Sequence, residues 1–460
     1  MQSSHAAGHV SASFSDPNLI ASAGLVPLVR LAERCELPVL IRRHVDLGCT
    51  AGANPAGKAM SLIAAMCAGA DCIEDANLLR VGGTDRIFHE IYAPSTLGCF
   101  LRAFTHGHVR QLQAAARRFT ANLIGHAGLV PAGEPVLYLD IDSKVKQVYG
   151  PAKQGASFGY THVRGLHFQI VTASTPSSRP VIVATRLRKG SAGSGKGAAS
   201  LIAEAIRAVR EAGVGAAIVV RADSAFFSAK VIKAIRAGGA QFSITVGNTA
   251  RIRAAIARIP EDAWTPIEYR DAVWDEDEHR WVSEAEIAEI RYTAFASKTK
   301  DLQVTARLIV RRVKRLNPAT VPEGQGELFA AHRHHAFFTD SPLVIAQAEP
   351  NHRKHAVIEQ VFSDLEDGPL GHLPSGRFQA NAAWLTLAAI SYNLTRAAAT
   401  LADRHHAKAT GATIRRNLIN IPARIATSAR RIRLHLPEHW PWTPGFLTLW
   451  ARTGHQPITT

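Results

Sequence analysis

Hydrophobic residues recur three and four positions apart between residues 17 and 128, which is the spacing of amphipathic helices. The segments that carry this pattern include LVPLVRLAERCEL, GKAMSLIAAMCAGA and HVRQLQAAARRFTANLI. The pattern predicts an all-helical domain at the start of the chain.

The pattern changes after GLVPAGEPV, where VLYLDIDS alternates apolar and polar residues as a strand does. Two further β-rich runs follow, HFQIVTAS and PVIVATRL. An amphipathic helix in KGAASLIAEAIRAVREAG then leads to the apolar strand AAIVVRADS, a helix through SAKVIKAIRAGG and the strand QFSITV. Three β-rich segments followed by alternating helix and strand predict an α/β fold, with a mixed sheet and helices packed on it.

The alternation stops at residue 251, and β-type runs such as AEIRYTAF and LQVTARLIVRRV predict a β-rich insertion. Helical spacing resumes at HAVIEQVFSDLED and continues through NAAWLTLAAISYNLTRAAATLAD. We therefore predict a helical N-terminal DNA-binding domain in residues 1–130 and a first part of the catalytic core in residues 131–250. A β-rich insertion follows in residues 251–335. The second core part, with a Glu-bearing helix, covers residues 336–400, and a basic tail covers residues 401–460.

The charge of the chain favours a polyanionic partner. Lys and Arg number 53 against 37 Asp and Glu, so the net charge is +16. The alternative is a soluble basic protein whose arginine content reflects coding bias. No signal peptide or membrane-length apolar run is visible, so we expect a cytoplasmic protein with no membrane partner. The cysteines form no CxxC pair and predict neither a metal site nor a disulfide framework.

The glycine-rich stretch RKGSAGSGKGAAS resembles a phosphate-binding Walker loop, with Gly190, Gly195 and Lys196 at the required spacing. The motif needs Ser or Thr after the lysine to bind magnesium, and Gly197 stands there instead. We therefore expect no nucleotide cofactor. Two interpretations stay open: a plain connecting loop, or a loop whose Lys196 contacts a DNA phosphate.

Acidic residues stand at the ends of two apolar strands. Asp140 and Asp142 in YLDIDSK point to the same face of their strand, and Asp223 ends AIVVRADS. Buried carboxylates need a partner or a cation, so a metal site is one interpretation. The alternatives are that Asp223 caps the next helix, and that Asp140 and Asp142 are structural residues paired with Lys144 or Arg164.

A third carboxylate, Glu359, lies in the predicted helix of NHRKHAVIEQVFSDLEDG, where a solvent-exposed glutamate is the alternative interpretation. Three converging carboxylates are suited to two Mg²⁺ or Mn²⁺ ions for in-line phosphoryl transfer, which needs no covalent protein nucleophile.

These segments together resemble a known family. LDIDS, GPAKQGASFGY, VVRADSAFF, FFTD, AVIEQVFSDLEDGPLGHLPSGRFQANAAWLTLAAISYNL and LINIPARIATSARRIRLHLP resemble, in this order, a DDE transposase of bacterial insertion sequences, closest to insertion-sequence family 1380. The resemblance implies an RNase H-like catalytic core and a metal-binding triad of Asp142, Asp223 and Glu359, with Asp140 as a possible alternative ligand. It also implies cut-and-paste transposition between terminal inverted repeats.

The resemblance further implies double-stranded DNA as partner, at both the element ends and the target, and we expect a homodimer in the DNA complex. Related transposases often carry Tyr, Arg and Lys where this chain has His352, His355 and Glu366, so we expect neighbouring cations to supply the phosphate contacts. The predicted DNA-binding residues are Lys144, Lys196, Arg353, Lys354, Arg415, Arg416, Arg430 and Arg431.

Two other functions stay open at this point. The chain could be a DNA-binding protein derived from a transposase, with carboxylates retained only for structure. It could also be a metal-dependent nuclease that cuts DNA without joining it.

Overall fold

The structure is a computed structural model. It describes residues 9–267, 274–275, 280–281, 285–314, 332–429 and 431–454. The observed fold class is mixed α/β, with a mixed multi-stranded sheet and many helices, as predicted.

Five helices form the first part of the chain. Their apolar residues recur at helical spacing, and Thr105 caps the longest of them through a hydrogen bond from the backbone N–H of His108. The helices are α1 (Leu25–Arg34), α2 (Leu37–His44), α3 (Pro55–Ala68), α4 (Pro94–Arg102) and α5 (His106–Ala127).

A long helix late in the chain, α11 (Phe378–Ala402), is buried along almost its whole length. It packs against α1, α3, α4 and α5 from the first part and is also in contact with the central sheet. An all-round apolar helix of this kind is a core element rather than a surface one. The front helices therefore share one hydrophobic core with the second half of the chain.

Ten strands of the described chain form one sheet. Its order is β3-β4-β2-β6-β7, followed by β13 (His332–Thr339), β12 (Val304–Lys314), β11 (Ala285–Ala294) and β8 (Thr265–Ile267), and β5 pairs with β4 on the same edge as β3. The strands of the first half are β2 (Val136–Gln147), β3 (Ser157–Phe158), β4 (Arg164–Ser174), β5 (Val181–Lys189), β6 (Ala217–Ala222) and β7 (Gln241–Val246). Strands β2, β6 and β7 are parallel, and β4 and β5 are antiparallel to their neighbours.

Two amphipathic helices connect the parallel strands, as the alternating pattern predicts. They are α6 (Ala198–Glu211), between β5 and β6, and α7 (Ala229–Ala237), between β6 and β7. The apolar stripe of α6 includes Leu201, Ile202, Ile206 and Val209, all of which are buried.

The predicted insertion adds strands to the same sheet. After α8 (Ala250–Ile256), the strands β8 (Thr265–Ile267), β11 (Ala285–Ala294), β12 (Val304–Lys314) and β13 (His332–Thr339) continue the ladder outward from β7 by antiparallel pairing. A separate hairpin joins β9 (Trp274–Asp275) to β10 (Arg280–Trp281). Residues 268–273, 276–279, 282–284 and 315–331 of this segment lie outside the described residues.

The remaining helices follow β13 and lead to the end of the chain. They are α9 (Ile345–Arg353), α10 (Val357–Glu366), α12 (Arg404–Lys408), α13 (Gly411–Ile414) and α14 (Thr443–Arg452). The basic tail also contains two strands, β14 (Ala423–Ser428) and β15 (Arg431–His435). Strand β14 pairs with β1 (Leu19–Ile20), so the tail is joined to the start of the chain. None of the described helices combines the length and apolar character needed to cross a membrane.

Candidate active site

Two of the predicted acids lie side by side on neighbouring parallel strands. In the register of β2 and β6, Ile141 is paired with Ala222, and Asp142 and Asp223 are the next residues of the two strands. Parallel strands lie about 4.8 Å apart, so the two carboxylates leave the sheet at one point. The acidic residue after β6 is therefore brought next to the acidic residue within β2.

Local backbone bonds orient both aspartates. The backbone N–H of Ser143 donates to Asp142 Oδ1 at 2.6 Å. The backbone N–H of Ala225 donates to Asp223 Oδ1 at 2.9 Å, so Asp223 caps the short 3-10 helix Ser224–Phe226. The cap uses Oδ1 of this carboxylate.

The third acid is carried by α10, which lies against β2. Phe362 of this helix contacts Phe168 of β4, with ring centroids 5.7 Å apart. Glu359 stands in the first turn of α10 and is exposed. Residues 359, 362 and 366 are spaced three and four apart, so they share the face of α10 that meets the acidic face of β2.

The electrostatics link the three acids. Burial, together with the negative charges of Asp223 and Glu359, raises the pKa of Asp142 to about 6, although the hydrogen bond from Ser143 acts in the opposite direction. Burial also raises the pKa of Asp223. A site that holds several carboxylates in a partly buried position favours the binding of a cation or a proton.

The carboxylates are close enough to interact but do not form a closed cage. In the described part of the chain, the single group of three metal-ligating side chains with ligand atoms within 4.8 Å of one another is Asp71, Cys72 and Asp75. That group lies in the turn after α3, where Asp75 Oδ2 accepts the backbone N–H groups of Asp71 and Cys72. It was not among the predicted sites.

Asp140 is held in a buried ion pair. Its two carboxylate oxygens accept hydrogen bonds from Nε and Nη2 of Arg221, both at 2.7 Å. Both side chains are almost fully buried. The interpretation that Lys144 or Arg164 pairs with these aspartates is therefore wrong. Arg164 donates to the carbonyl oxygens of Gly150 and Pro151 instead.

A family model described as Transposase DDE domain group 1 matches residues 3–457, nearly the whole chain. The chain belongs to this family of DDE transposases. A search of curated proteins gave no match. Family membership means that the protein is of a DNA-cleaving, DNA-binding class that generally uses divalent metals.

Lys144 of the transposase lies on the same face of β2 as Asp140 and Asp142, because side chains alternate along a strand. Its Nζ lies 2.5 Å from Glu366 Oε2 and 5.9 Å from the centre of the Phe362 ring. The ion pair bridges β2 and α10 beside the acidic site. Lys144 thus lies beside the acidic site, where its positive charge is paired with the carboxylate of Glu366.

Two histidines at the site have contacts that sequence reasoning missed. His352 is buried, stacks on Phe337 at 4.3 Å and bonds Ser243 Oγ and Thr245 Oγ1 through its two ring nitrogens. His355 Nδ1 donates to the carbonyl oxygen of His352 at 2.7 Å. Its charge, when protonated, lowers the pKa values of Asp142 and Asp223. The feature of the sequence that could have indicated these contacts is the presence of two polar residues, Ser243 and Thr245, in the otherwise apolar strand QFSITV.

The glycine-rich loop after β5 forms one wall of the acidic site. Ser143 Oγ donates to Ser194 Oγ at 2.9 Å, next to Asp142. A Cβ atom on Gly195 would lie 3.1 Å from the carbonyl oxygen of Ala225, so the loop also contacts the turn that holds Asp223. Lys196 is exposed on this loop. The stretch is a connecting loop, and it lies beside both aspartates.

The side chains of the buried strands fix the inner side of this loop. Arg188 Nη1 donates to the carbonyl oxygens of Gly193 and Ser194, and Gln169 Nε2 donates to that of Ser194 at 2.6 Å. His167 Nδ1 bonds the carbonyl oxygen of Ala192 at 2.5 Å. The loop is therefore held in one position rather than lying loosely over the sheet.

The other predicted DNA-binding residues lie in two places. Arg353 and Lys354 are exposed just before α10, and Arg353 Nε pairs with Glu349 at 2.8 Å. Arg415 donates to the carboxylate and carbonyl oxygens of Asp367, so it joins the tail to the end of α10. The last three lie in the tail: Arg416 over the Trp442 ring, Arg431 exposed on β15, and Arg430 outside the described residues.

The His-rich run HRHH, residues 332–335, forms part of β13. The run pairs with β12, whereas β7 pairs only with the later part of the strand, Ala336–Thr339.

Proposed function

We propose that this transposase cleaves DNA at the terminal inverted repeats of an insertion sequence and joins the freed ends to target DNA. Asp142, Asp223 and Glu359 are its catalytic carboxylates, within an RNase H-like core. The supporting observation is the placement of Asp142 and Asp223 at successive positions of two parallel strands, with Glu359 near enough to raise the pKa of Asp142.

The donor set is suited to Mg²⁺ or Mn²⁺. The three side chains offer hard carboxylate oxygens, and neither Asp142 nor Asp223 forms an ion pair with Lys or Arg in the described chain. Asp142, Asp223 and Glu359 would hold these ions, which would supply Lewis acidity and make water or a 3′-hydroxyl a better nucleophile. The acids hold the charge that such ions require.

The contacts of the neighbouring residues support Asp142 rather than Asp140 as the first catalytic acid. Both oxygens of Asp140 are used by Arg221, and this pair is buried. Arg221 Nη1 also donates to the carbonyl oxygen of Asn351 at 2.7 Å, which ties β6 to the end of α9. We infer that Asp140 holds the segment before α10 in place while Asp142 binds metal.

The remaining parts of the proposal are the DNA partners and the assembly. Exposed cations near the site, Lys196, Arg353 and Lys354, contact backbone phosphates, and Arg431 on β15 extends this contact. The enzyme acts as a homodimer that holds two element ends, within insertion-sequence family 1380.

The test uses purified full-length protein with DNA that carries the element ends, in the presence of Mg²⁺. Asp142→Asn, Asp223→Asn and Glu359→Gln should each abolish strand cleavage while DNA binding persists, and Glu438→Gln, at a carboxylate 90% exposed in the tail, is the control. Cleavage that survives in all three variants contradicts the proposal. Cleavage without joined products identifies a nuclease that does not transfer strands.

A further inference from the structure

Three aromatic side chains are exposed on the segment that follows β2. Tyr149, Phe158 and Tyr160 are 79%, 65% and 69% exposed, although a soluble protein ordinarily buries much of such side chains. The three lie within residues 148–163, the connection from β2 to β4. An exposed group of aromatic rings near a functional site indicates an interaction surface.

The connection that carries these rings is fixed at several points. Gln154 Oε1 accepts the backbone N–H of Phe378 at 3.1 Å, and the backbone N–H of Gln154 donates to the carbonyl oxygen of Gly376 at 2.9 Å. Lys153 Nζ donates to the carbonyl oxygen of Leu373. The aromatic rings are therefore presented by a loop anchored to the start of α11, which lowers the entropy cost of binding.

The connection contacts the glycine-rich loop beside the acids. The backbone N–H of Ser191 donates to Ser157 Oγ at 2.8 Å, and that of Gly190 donates to the carbonyl oxygen of Gly155 at 3.0 Å. Gly159 is needed there, because a Cβ atom on it would lie 2.6 Å from the Gly190 carbonyl oxygen. The aromatic rings and the glycine-rich loop thus form one continuous ledge, composed of residues 148–163 and 190–197.

The two ends of the ledge lie at different distances from the proposed catalytic acids. Strand β2 runs from Asp142 to Gln147 before the connection starts, which corresponds to about 17 Å. At its other end, the ledge touches Ser143 through Ser194 and the turn of Asp223 through Gly195. A DNA strand that is bound at the acids and follows the ledge away from them would reach the rings beyond the glycine-rich loop.

The charge of this part of the chain is complementary to nucleic acid. No Asp or Glu occurs from residue 143 to residue 203, while nine Lys and Arg do. On the ledge or directly next to it, Lys189 and Lys196 are exposed. Cations that follow a backbone, together with aromatic rings on which bases stack, are the two features of single-strand binding sites.

We propose that the ledge binds unpaired nucleotides at the DNA end, by stacking their bases on Tyr149, Phe158 and Tyr160. This inference rests on the proposed function, since it assigns the ledge to the DNA processed at the neighbouring acids. The ledge holds the frayed strand along the path that leads away from the acids and thereby favours substrates whose ends have opened.

The experiment compares two probes bound by the full-length protein without divalent metal. One is a duplex with a short unpaired tail that contains 2-aminopurine, and the other is the same duplex with blunt ends. Polarisation gives the affinity, and 2-aminopurine fluorescence reports stacking. Tyr149→Ala, Phe158→Ala and Tyr160→Ala should each weaken binding of the tailed probe by about tenfold and reduce quenching of the 2-aminopurine.

The controls separate stacking from structure. Tyr149→Phe, Phe158→Tyr and Tyr160→Phe keep a ring and should keep the affinity for the tail. Phe14→Ala removes an aromatic ring that is fully exposed elsewhere and should change neither probe. Because the three rings are exposed, the alanine variants should unfold at the parent temperature.

Several results overturn the inference. Alanine variants that bind tailed and blunt probes as the parent does show that the rings do not stack on bases. A change in oligomeric state by light scattering, with unchanged affinity for the tail, shows that the ledge is an interface between copies. The proposed function fails separately: cleavage by the variants of Asp142, Asp223 and Glu359 contradicts it, whereas the binding results do not depend on cleavage.

Discussion

Asp140 and Arg221 occupy paired positions on parallel strands and form two hydrogen bonds of 2.7 Å in the protein interior. The guanidinium also lies 4.0 Å from the centre of the Tyr138 ring. Two residues along the same face of β2, Asp142 has no such cation partner in the described chain. Adjacent carboxylates of one strand therefore have opposite environments, and their substitution should have opposite effects on stability.

Asp140→Asn should destabilise the protein strongly. The amide leaves the buried charge of Arg221 without its counter-ion, which costs about 3–5 kcal/mol. The measurement is the free energy of unfolding in urea. The double variant Asp140→Leu, Arg221→Met removes both charges and should lie much closer to the parent. An Asp140→Asn variant as stable as the parent contradicts the buried pair.

Asp142→Asn should stabilise the metal-free protein at neutral pH. The folded pKa, about 6, lies above the value of 3.8 expected for an unperturbed aspartate, so the ionised carboxylate opposes folding at pH 7 and above. Removing the charge should raise the free energy of unfolding by about 1–3 kcal/mol at pH 7.5.

The advantage of the Asp142→Asn variant should disappear below about pH 4, where the parent carboxyl is protonated in both states. Mn²⁺ should reverse the order, since it stabilises only the protein that binds it. Unfolding curves with EDTA and with Mn²⁺ give both comparisons. A variant less stable than the parent in EDTA at pH 7.5 shows that burial of the ionised Asp142 carboxylate does not oppose folding.

His352 should make the stability fall in mild acid. Burial lowers the pKa of His352 to about 3, whereas an unfolded histidine has its ordinary value of 6.5. The neutral ring is therefore favoured in the folded state, and its stability contribution is lost as the pH falls below 6.5. At pH 5 the loss amounts to about 2 kcal/mol. His352→Gln should reduce the slope of stability against pH between 7 and 5, and an unchanged slope contradicts a buried neutral ring.

Lys144 should contribute to DNA affinity through charge. Lys144→Met should reduce the slope of log affinity against log salt concentration by about 0.9, the value for one phosphate contact. Glu366→Gln frees Lys144 from its ion pair and should strengthen binding. Stability should change by less than about 1 kcal/mol, because the pair is partly exposed. The control is Lys298→Met, on an exposed turn between β11 and β12. If Lys298→Met and Lys144→Met give the same slope of log affinity against log salt concentration, Lys144 makes no phosphate contact.

The sequence predicted the elements around the acids because each has a strong local pattern. The apolar run before Asp223 predicts β6, and the alternation before Asp142 predicts the buried half of β2. The resemblance to a transposase was carried by motifs in a fixed order, and the family match over residues 3–457 confirms it at the level of the DDE transposase family.

The pairing of strands could not be deduced from local patterns. Register places Asp140 opposite Arg221, and nothing in either strand alone indicates that partner. The ion pair of Lys144 with Glu366 likewise joins residues from distant parts of the chain. The position of the glycine-rich loop beside both aspartates depends on Ser143 and Ala225, which only the folded chain brings to it.

The most direct test of the catalytic assignment is anomalous diffraction from crystals soaked in Mn²⁺. The account predicts an anomalous peak bounded by the carboxylates of Asp142, Asp223 and Glu359, which is lost in Asp223→Asn. A peak at Asp71, Cys72 and Asp75 with none between the three proposed acids contradicts it.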